Sequence, residues 1–153
     1  MDIIDSFLIF CVEEVRYALE VAAVKRIVRA TEVTFLPEAP DSVRGLINVA
    51  GEIIPVIDMR QRLGLAGREM ELSDRFILSN MAGMSIALLV DRVEGVVELP
   101  IQSVTSVKTA VQDTVTKAVT VEGNIVLIQP LEALVSEVAL LQLVDIGLED
   151  INE

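Results

Sequence analysis

The sequence predicts a mainly β fold of two small barrels, with brief helices between strands and one helix near the C-terminus. Three observations carry that expectation. Short apolar runs recur along the chain, turn-forming residues separate them, and a polar stretch at 66–74 divides one strand-rich half from another. At 153 residues the chain makes a single domain (1–153). The first barrel is expected mainly over 15–65 and the second mainly over 75–128, with terminal segments packing between or across them.

Residues 6–12 form a continuous apolar run, which suits a strand buried on both faces. After Glu13-Glu14 the pattern alternates. Val15, Tyr17, Leu19 and Val21 take one face, and Arg16, Ala18 and Glu20 take the other, so the pair reads as a hairpin. Over 21–29 the pattern changes. Val24, Ile27 and Val28 fall at helical spacing with Lys25, Arg26 and Arg29 opposite, which predicts a short amphipathic turn or helix. A solvated face accounts for those cations as readily as a binding face does.

Pro37 and Pro40 make a rigid connector, since each pushes its predecessor toward extended geometry. Strands follow at 43–49 and 52–57 around an Ala50-Gly51 turn. Pro55 demotes the second of them to an edge or a bulge. Residues 58–65 allow one helical turn with Gly64 near its end. Beyond 66–74, strands are expected at 75–80 and 85–90 around Ala82-Gly83. Val93, Val96, Val97 and Leu99 then carry the chain to a break at Pro100. The Ser/Thr/Gln-rich stretch 101–114 reads as loop. Residues 118–121 and 125–128 flank Glu122-Gly123-Asn124, where Gly-Asn signals a two-residue hairpin turn. Pro130 opens a helix whose apolar stripe is Leu131, Leu134, Val135, Val138, Leu141 and Val144, with Gly147 as its stop.

Composition narrows the function. Apolar residues are 52 % of the chain, above the usual share for a globular domain. The surplus fits either sticky edges and grooves offered to a partner or a dense aliphatic core. The net charge of −12 opposes phosphate binding, and only Phe7, Phe10, Tyr17, Phe35 and Phe76 are available to stack bases, so nucleic acid is not expected as a partner. The single cysteine, Cys11, reads as a small buried hydrophobe. The acidic N-terminus lacks the basic start of a signal peptide, and the longest uncharged run, 76–90, falls short of a membrane span. A cytoplasmic protein with no membrane insertion is expected.

The chain has no histidine, which removes the commonest general base and metal ligand, every triad that needs one, and any histidine phosphoacceptor. No glycine-rich phosphate loop is present. Asp58 and Asp91 each close an apolar strand and precede an arginine, Arg60 or Arg92. Paired acids serve glycosidic or metal chemistry in some proteins, which keeps a small-barrel enzyme or ligand-binding protein as an alternative. Turn hydrogen bonds and ion pairs with the adjacent arginines explain them more simply. No catalytic residue, metal site or cofactor is expected.

The most specific stretch is 36–65, LPEAPDSVRGLINVAGEIIPVIDMRQRLGL. Its elements are Pro37, Pro40, Val43, Gly45, Ile47, Asn48, Gly51, Ile54, Pro55, Val56, Ile57, Asp58, Arg60, Arg62, Leu63 and Gly64. It resembles the central signature of the CheW family of chemotaxis coupling proteins, and the likeness extends to 17–19, 88–99 and 118–135. The resemblance implies two packed SH3-like five-stranded barrels. It implies an adaptor that couples the cytoplasmic tip of methyl-accepting chemoreceptors to the regulatory domain of a CheA-type histidine kinase, in chemotaxis or in a non-flagellar chemosensory pathway. A groove between barrels would receive the receptor, bordered by Val24, Arg26, Ile27, Gly45, Asn48 and Ala50, with Leu88, Leu89 and Val90 opposite. The resemblance assigns no individual kinase contacts. Gly45 and Gly51 have a second reading as purely structural glycines.

Two positions depart from the family pattern. Ala50 stands where Arg is usual, and Arg26 stands where an acid is usual. Altered partner specificity and tolerated change at a rim both account for them.

Overall fold

The computed structural model describes residues 3–108 and 115–135. Strands β1 (Ile4–Val12) and β2 (Val15–Glu20) form the opening hairpin. A 3-10 turn, Val21–Ala23, leads to β3 (Val24–Arg29). After the proline connector come β4 (Val43–Val49), β5 (Glu52–Asp58) and the single-turn helix α1 (Met59–Arg62). Next are β6 (Arg75–Met81), β7 (Met84–Val90) and β8 (Arg92–Pro100), a second 3-10 turn at Ile101–Ser103, and β9 (Thr105–Lys108). Strands β10 (Val115–Val121) and β11 (Asn124–Ile128) precede helix α2 (Leu131–Leu134). Of the expected C-terminal helix, Val138, Leu141, Val144 and Gly147 lie outside the described residues.

Two sheets result, ordered β8-β1-β2-β11-β10-β9 and β3-β6-β7-β5-β4. The mainly β, two-unit fold is as the sequence predicts, but the sheets are open rather than closed barrels, and the first has six strands. The second sheet comes nearest to closure at Thr34, which bridges the free edge of β4 through a reciprocal pair of 2.8 Å hydrogen bonds with Leu46. The sheets also divide the chain differently from the split expected at 66–74. The chain starts in the first sheet, spends β3–β7 in the second, and returns for β8–β11. Two parallel pairings cause this. β7 docks along β5, placing the β6–β7 hairpin mid-sheet, and β11 docks along β2.

Strand alternation then builds three apolar layers. On β1 and β2, Leu8, Phe10, Val12, Tyr17 and Leu19 face the second sheet. There they meet Ile57, Ile77, Met81, Ile86, Leu88 and Val90, with Met59, Leu131 and Leu134 closing the cluster. Phe10 and Tyr17 stack at 5.6 Å between centroids. The intervening residues Phe7, Ile9 and Ala18 pack against Val119, Val126 and Ile128 inside the first sheet. Phe76, Leu78, Ala87 and Leu89 pack against Ile47, Ile54 and Val56 inside the second. Strands β1 and β7 are therefore buried on both faces, which is why 6–12 and 86–90 read as unbroken apolar runs. At about 2 kcal/mol per buried large aliphatic side chain, this double use accounts for much of the apolar surplus. Exposed residues such as Phe35, Ile53 and Leu72 account for more of it.

Local chemistry sets the turns. Ala50 and Gly51 both have positive φ (51° and 90°), as do Ala82 and Gly83 (53° and 81°). These are the signs of the type I′ turns that match strand twist. In each, an asparagine carboxamide oxygen accepts the glycine N–H, Asn48 for Gly51 at 2.9 Å and Asn80 for Gly83 at 3.2 Å. Helix α1 begins on Asp58, whose carboxylate accepts the N–H groups of Arg60 and Gln61. It ends in a Schellman pair, Leu65 N–H to Arg60 C=O and Gly64 N–H to Gln61 C=O. Pro55 costs no ladder bond. Leu46, its partner on β4, turns its main-chain groups to Thr34, so the Pro55 nitrogen faces β7, whose pairing begins only at Val56.

Three expectations need correction. Residues 24–29 are an edge strand, not a helical turn, because β-branched Val24, Ile27 and Val28 pair with β6. Residues 105–108 of the expected loop are strand β9, paired with β10. The last hairpin turns at Glu122-Gly123, both with positive φ, while Asn124 already pairs with Val121.

Candidate functional site

The predicted partner-binding residues fall into three groups in the structure. Val24, Arg26 and Ile27 lie on β3, one edge of the second sheet. Gly45, Asn48 and Ala50 lie on β4, its other edge, and the turn that follows. Leu88, Leu89 and Val90 lie on its central strand β7 and are 0 %, 6 % and 1 % exposed. Burial removes this third group from any surface. Leu88 and Val90 belong to the core shared by the sheets, and Leu89 to the second sheet's interior.

Gly45 is buried too, and its role is packing. A Cβ there would sit 2.1 Å from the Thr34 carbonyl oxygen, inside the bridge that ties the connector to β4. No side chain fits at that approach. Asn48 and Ala50 are exposed, Asn48 with its carboxamide oxygen turned back onto the turn. On β3, Val24 and its neighbour Ala23 pack half-buried against the shared core, and Ile27 stands opposite Ile77, a member of that core. Val24 and Ile27 thus mark where the seam between the sheets reaches the surface, with Arg26 exposed beside them.

The carboxylates singled out for chemistry are engaged in holding elements together. Asp58, besides capping α1, meets Arg44 at 3.3 Å. Asp91 accepts the Glu13 N–H at 2.7 Å and Arg60 Nε and Nη2 at 3.0 and 2.6 Å, and forms an ion pair with Arg68 Nη2 at 3.1 Å. Arg60 also reaches Glu13 at 2.6 Å. Arg68 forks onto Asp74, which is 4 % exposed and also accepts the Glu71 N–H. The ion-pair partners differ from those expected from adjacency. Asp91 takes Arg60 and Arg68, while Arg92, next to it in sequence, turns to Glu94. Arg68, Asp74 and Glu13 were missed by sequence reasoning. Their only signal was charge placed at turns between apolar strands.

This network joins the β1–β2 turn, α1, the loop 66–74 and the β7–β8 junction around a cleft of about 500 Å³. Burial pushes the Asp91 carboxyl upward. The Arg60 hydrogen bond, the Glu13 N–H and the charges of Arg68 and Arg60 outweigh it and hold Asp91 below its ordinary value. The Asp74 hydrogen bond raises Arg68 in turn. Asp91, Asp74 and Glu13 are each matched by a guanidinium at hydrogen-bond distance, so the arrangement is a clasp rather than a general acid with its base. Among the described residues no group of His, Cys, Asp and Glu is placed to hold a metal ion. Cys11 is buried, and burial with the Glu94 contact pushes its thiol up, away from thiolate reactivity.

Comparison with known proteins places this geometry. A family model described as "CheW-like domain" matches residues 6–139. Chemotaxis protein CheW of Treponema pallidum (strain Nichols) is 30 % identical over 101 residues, covering 63 % of this chain and 59 % of that protein. Chemotaxis protein CheW of Bacillus subtilis (strain 168) is 29 % identical over 108 residues, covering 71 % and 69 %. The chain spans about three fifths of the Treponema pallidum relative. Among solved structures, scaffolding protein TtCheW from Thermoanaerobacter tengcongensis matches with a TM-score of 0.76 at 26 % identity, over 91 % of this chain and 96 % of that one. In the described residues no helix is long and apolar enough to cross a membrane.

Proposed function

The chain belongs to the CheW-like domain family, and from that premise we propose that it is a non-enzymatic adaptor of chemotaxis signalling. In this reading it works in the cytoplasm and holds two proteins together: the regulatory domain of a CheA-type histidine kinase and the cytoplasmic tip of methyl-accepting chemoreceptors. The receptor-facing surface consists of Val24, Arg26 and Ile27 on β3, with Asn48 and Ala50 at the β4–β5 turn.

One observation carries the reading. The second sheet ends in the open edge of β3 and in β4, whose edge Thr34 bridges at Leu46, while its clustered carboxylates are committed to internal clasps. Such a molecule offers surface, not chemistry. Val24 and Ile27 supply an apolar strip beside the seam, suited to the apolar face of a helix.

Co-elution tests it directly. The full chain, mixed with a CheA-type regulatory domain and a receptor cytoplasmic hairpin from the same source, is expected to form a ternary complex. Substituting Ile27→Asp should release the receptor and leave the kinase domain bound. Failure of the wild-type chain to retain either protein would sink the proposal.

A further inference from the structure

Twelve Lys and Arg residues stand against 24 Asp and Glu, so an unneutralised cation is unexpected in this protein. Arg16, Arg44, Arg60, Arg68 and Arg92 each meet a carboxylate. Lys25, Arg26, Arg29, Arg75, Arg62 and Lys117 meet none among the described residues; the first four gather on β3 and the strand beside it, β6, whereas Arg62 donates to the Ala133 carbonyl and Lys117 stands apart on β10. Arg29 and Arg75 are direct cross-strand partners, a like-charged pair that opposes strand pairing. Arg75 turns its guanidinium to the carbonyls of Leu72 and Asp74, because the Asp74 carboxylate is already held by Arg68. Glu32, the nearest acid that follows in sequence, is exposed and joins no ion pair among the described residues. Folding leaves this strip positive.

The strip lies along an open edge. Within the described residues β3 pairs only with β6. The Ala30 N–H donates to the Asp74 carbonyl at 3.1 Å. By the alternation of an antiparallel ladder, the main-chain groups of Ile27 and Arg29 therefore point away from β6. Unpaired backbone, an exposed isoleucine and uncompensated cations coincide on one strand.

We propose that this edge is a docking strip for an acidic segment of the partner protein, whose carboxylates meet Lys25, Arg26, Arg29 and Arg75 while an apolar residue covers Ile27. Charge complementarity selects that occupant, since a basic segment would be repelled. The proposal rests on the adaptor reading for the identity of the partner, the receptor tip, but not for the partner's charge.

The test uses the full chain and two probes, a receptor cytoplasmic hairpin and a synthetic glutamate-rich peptide, with wild type, the double variant Arg26→Glu/Arg29→Glu and the control Lys117→Glu. A thermal melt of each variant checks folding. Both probes are expected to bind wild type and the control alike, to weaken about tenfold in the double variant, and to weaken in high salt. Equal binding of the probes by the double variant would overturn the strip while leaving the adaptor reading intact. Peptide binding that depends on Arg26 and Arg29, with no receptor binding at all, would uphold the strip and sink the adaptor reading. Tighter retention of a single-stranded oligonucleotide than of the peptide would overturn the acidic-protein assignment.

Discussion

The arginine clasp around Asp91 and the cation strip on β3 contain the same residue type in opposite situations. In the clasp, Arg60 and Arg68 are 12 % and 22 % exposed, and each is matched to carboxylates brought in from other elements. On the strip, Arg26 and Arg29 are exposed and meet no carboxylate among the described residues, beside a third arginine. The contrast separates charge that assembles this fold from charge that the fold leaves available. Removing a clasp carboxylate uncovers buried cations, whereas removing a strip cation uncovers nothing.

The largest break in that contrast is expected at Asp74. Asp74→Ala strips the fork from Arg68 and the acceptor from the Glu71 N–H at a buried site, and should cost about 3 kcal/mol in urea unfolding. A loss within the scatter of surface substitutions would mean that the clasp does not hold the loop 66–74.

Asp91→Asn should cost about 2 kcal/mol near neutrality, because Arg60 and Arg68 lose their shared counter-charge. Its pH dependence sharpens the point. The folded value of Asp91 lies below the ordinary 3.8, so its stabilisation is complete above that pH and lost as pH falls toward the folded value. The stability gap between wild type and Asp91→Asn should therefore be constant from neutrality to about pH 5 and narrow below about pH 3.8. A gap unchanged in acid would remove the ionised carboxylate from the explanation.

Smaller effects are expected next to the strip. Ser79, opposite Val24 and Ile86, buries its hydroxyl with no hydrogen-bond partner among the described residues. Ser79→Ala should raise stability by about 1 kcal/mol in the same unfolding assay. Arg29→Glu should stabilise by roughly 0.2–1 kcal/mol, by turning a repulsive cross-strand pair with Arg75 into an attractive one. A destabilisation by Arg29→Glu would show that the strip already has a partner within the chain, which ends the contrast.

Much of the fold was legible because it is locally encoded. The runs 43–49 and 52–57, the Ala-Gly turns and the helical turn within 58–65 are each written in adjacent residues. The site was less legible. Arg26 and Ile27, the receptor-side residues that the resemblance implies, lie on an edge strand where the spacing predicts a helical turn, since three apolar residues in six fit both periods. Leu88, Leu89 and Val90 looked like a groove wall because nothing in an apolar run tells one buried face from two.

By itself, then, the sequence determined most of the strands and turns, though not β3, β9 or the last turn, together with the missing histidine chemistry and the family signature, all of which depend on residue type or short-range spacing. Tertiary structure decided which strands share a sheet. The parallel dockings of β7 on β5 and β11 on β2 bring together residues remote in sequence, with no local pattern to announce them. It also decided which arginine answers which aspartate. Asp91 turns from adjacent Arg92 to Arg60 and Arg68, because a clasp forms where the junction of the sheets brings charges together out of water. Among the described residues, those same pairings leave the cations of β3 without carboxylates, a surplus that no count of charges in the sequence could have located.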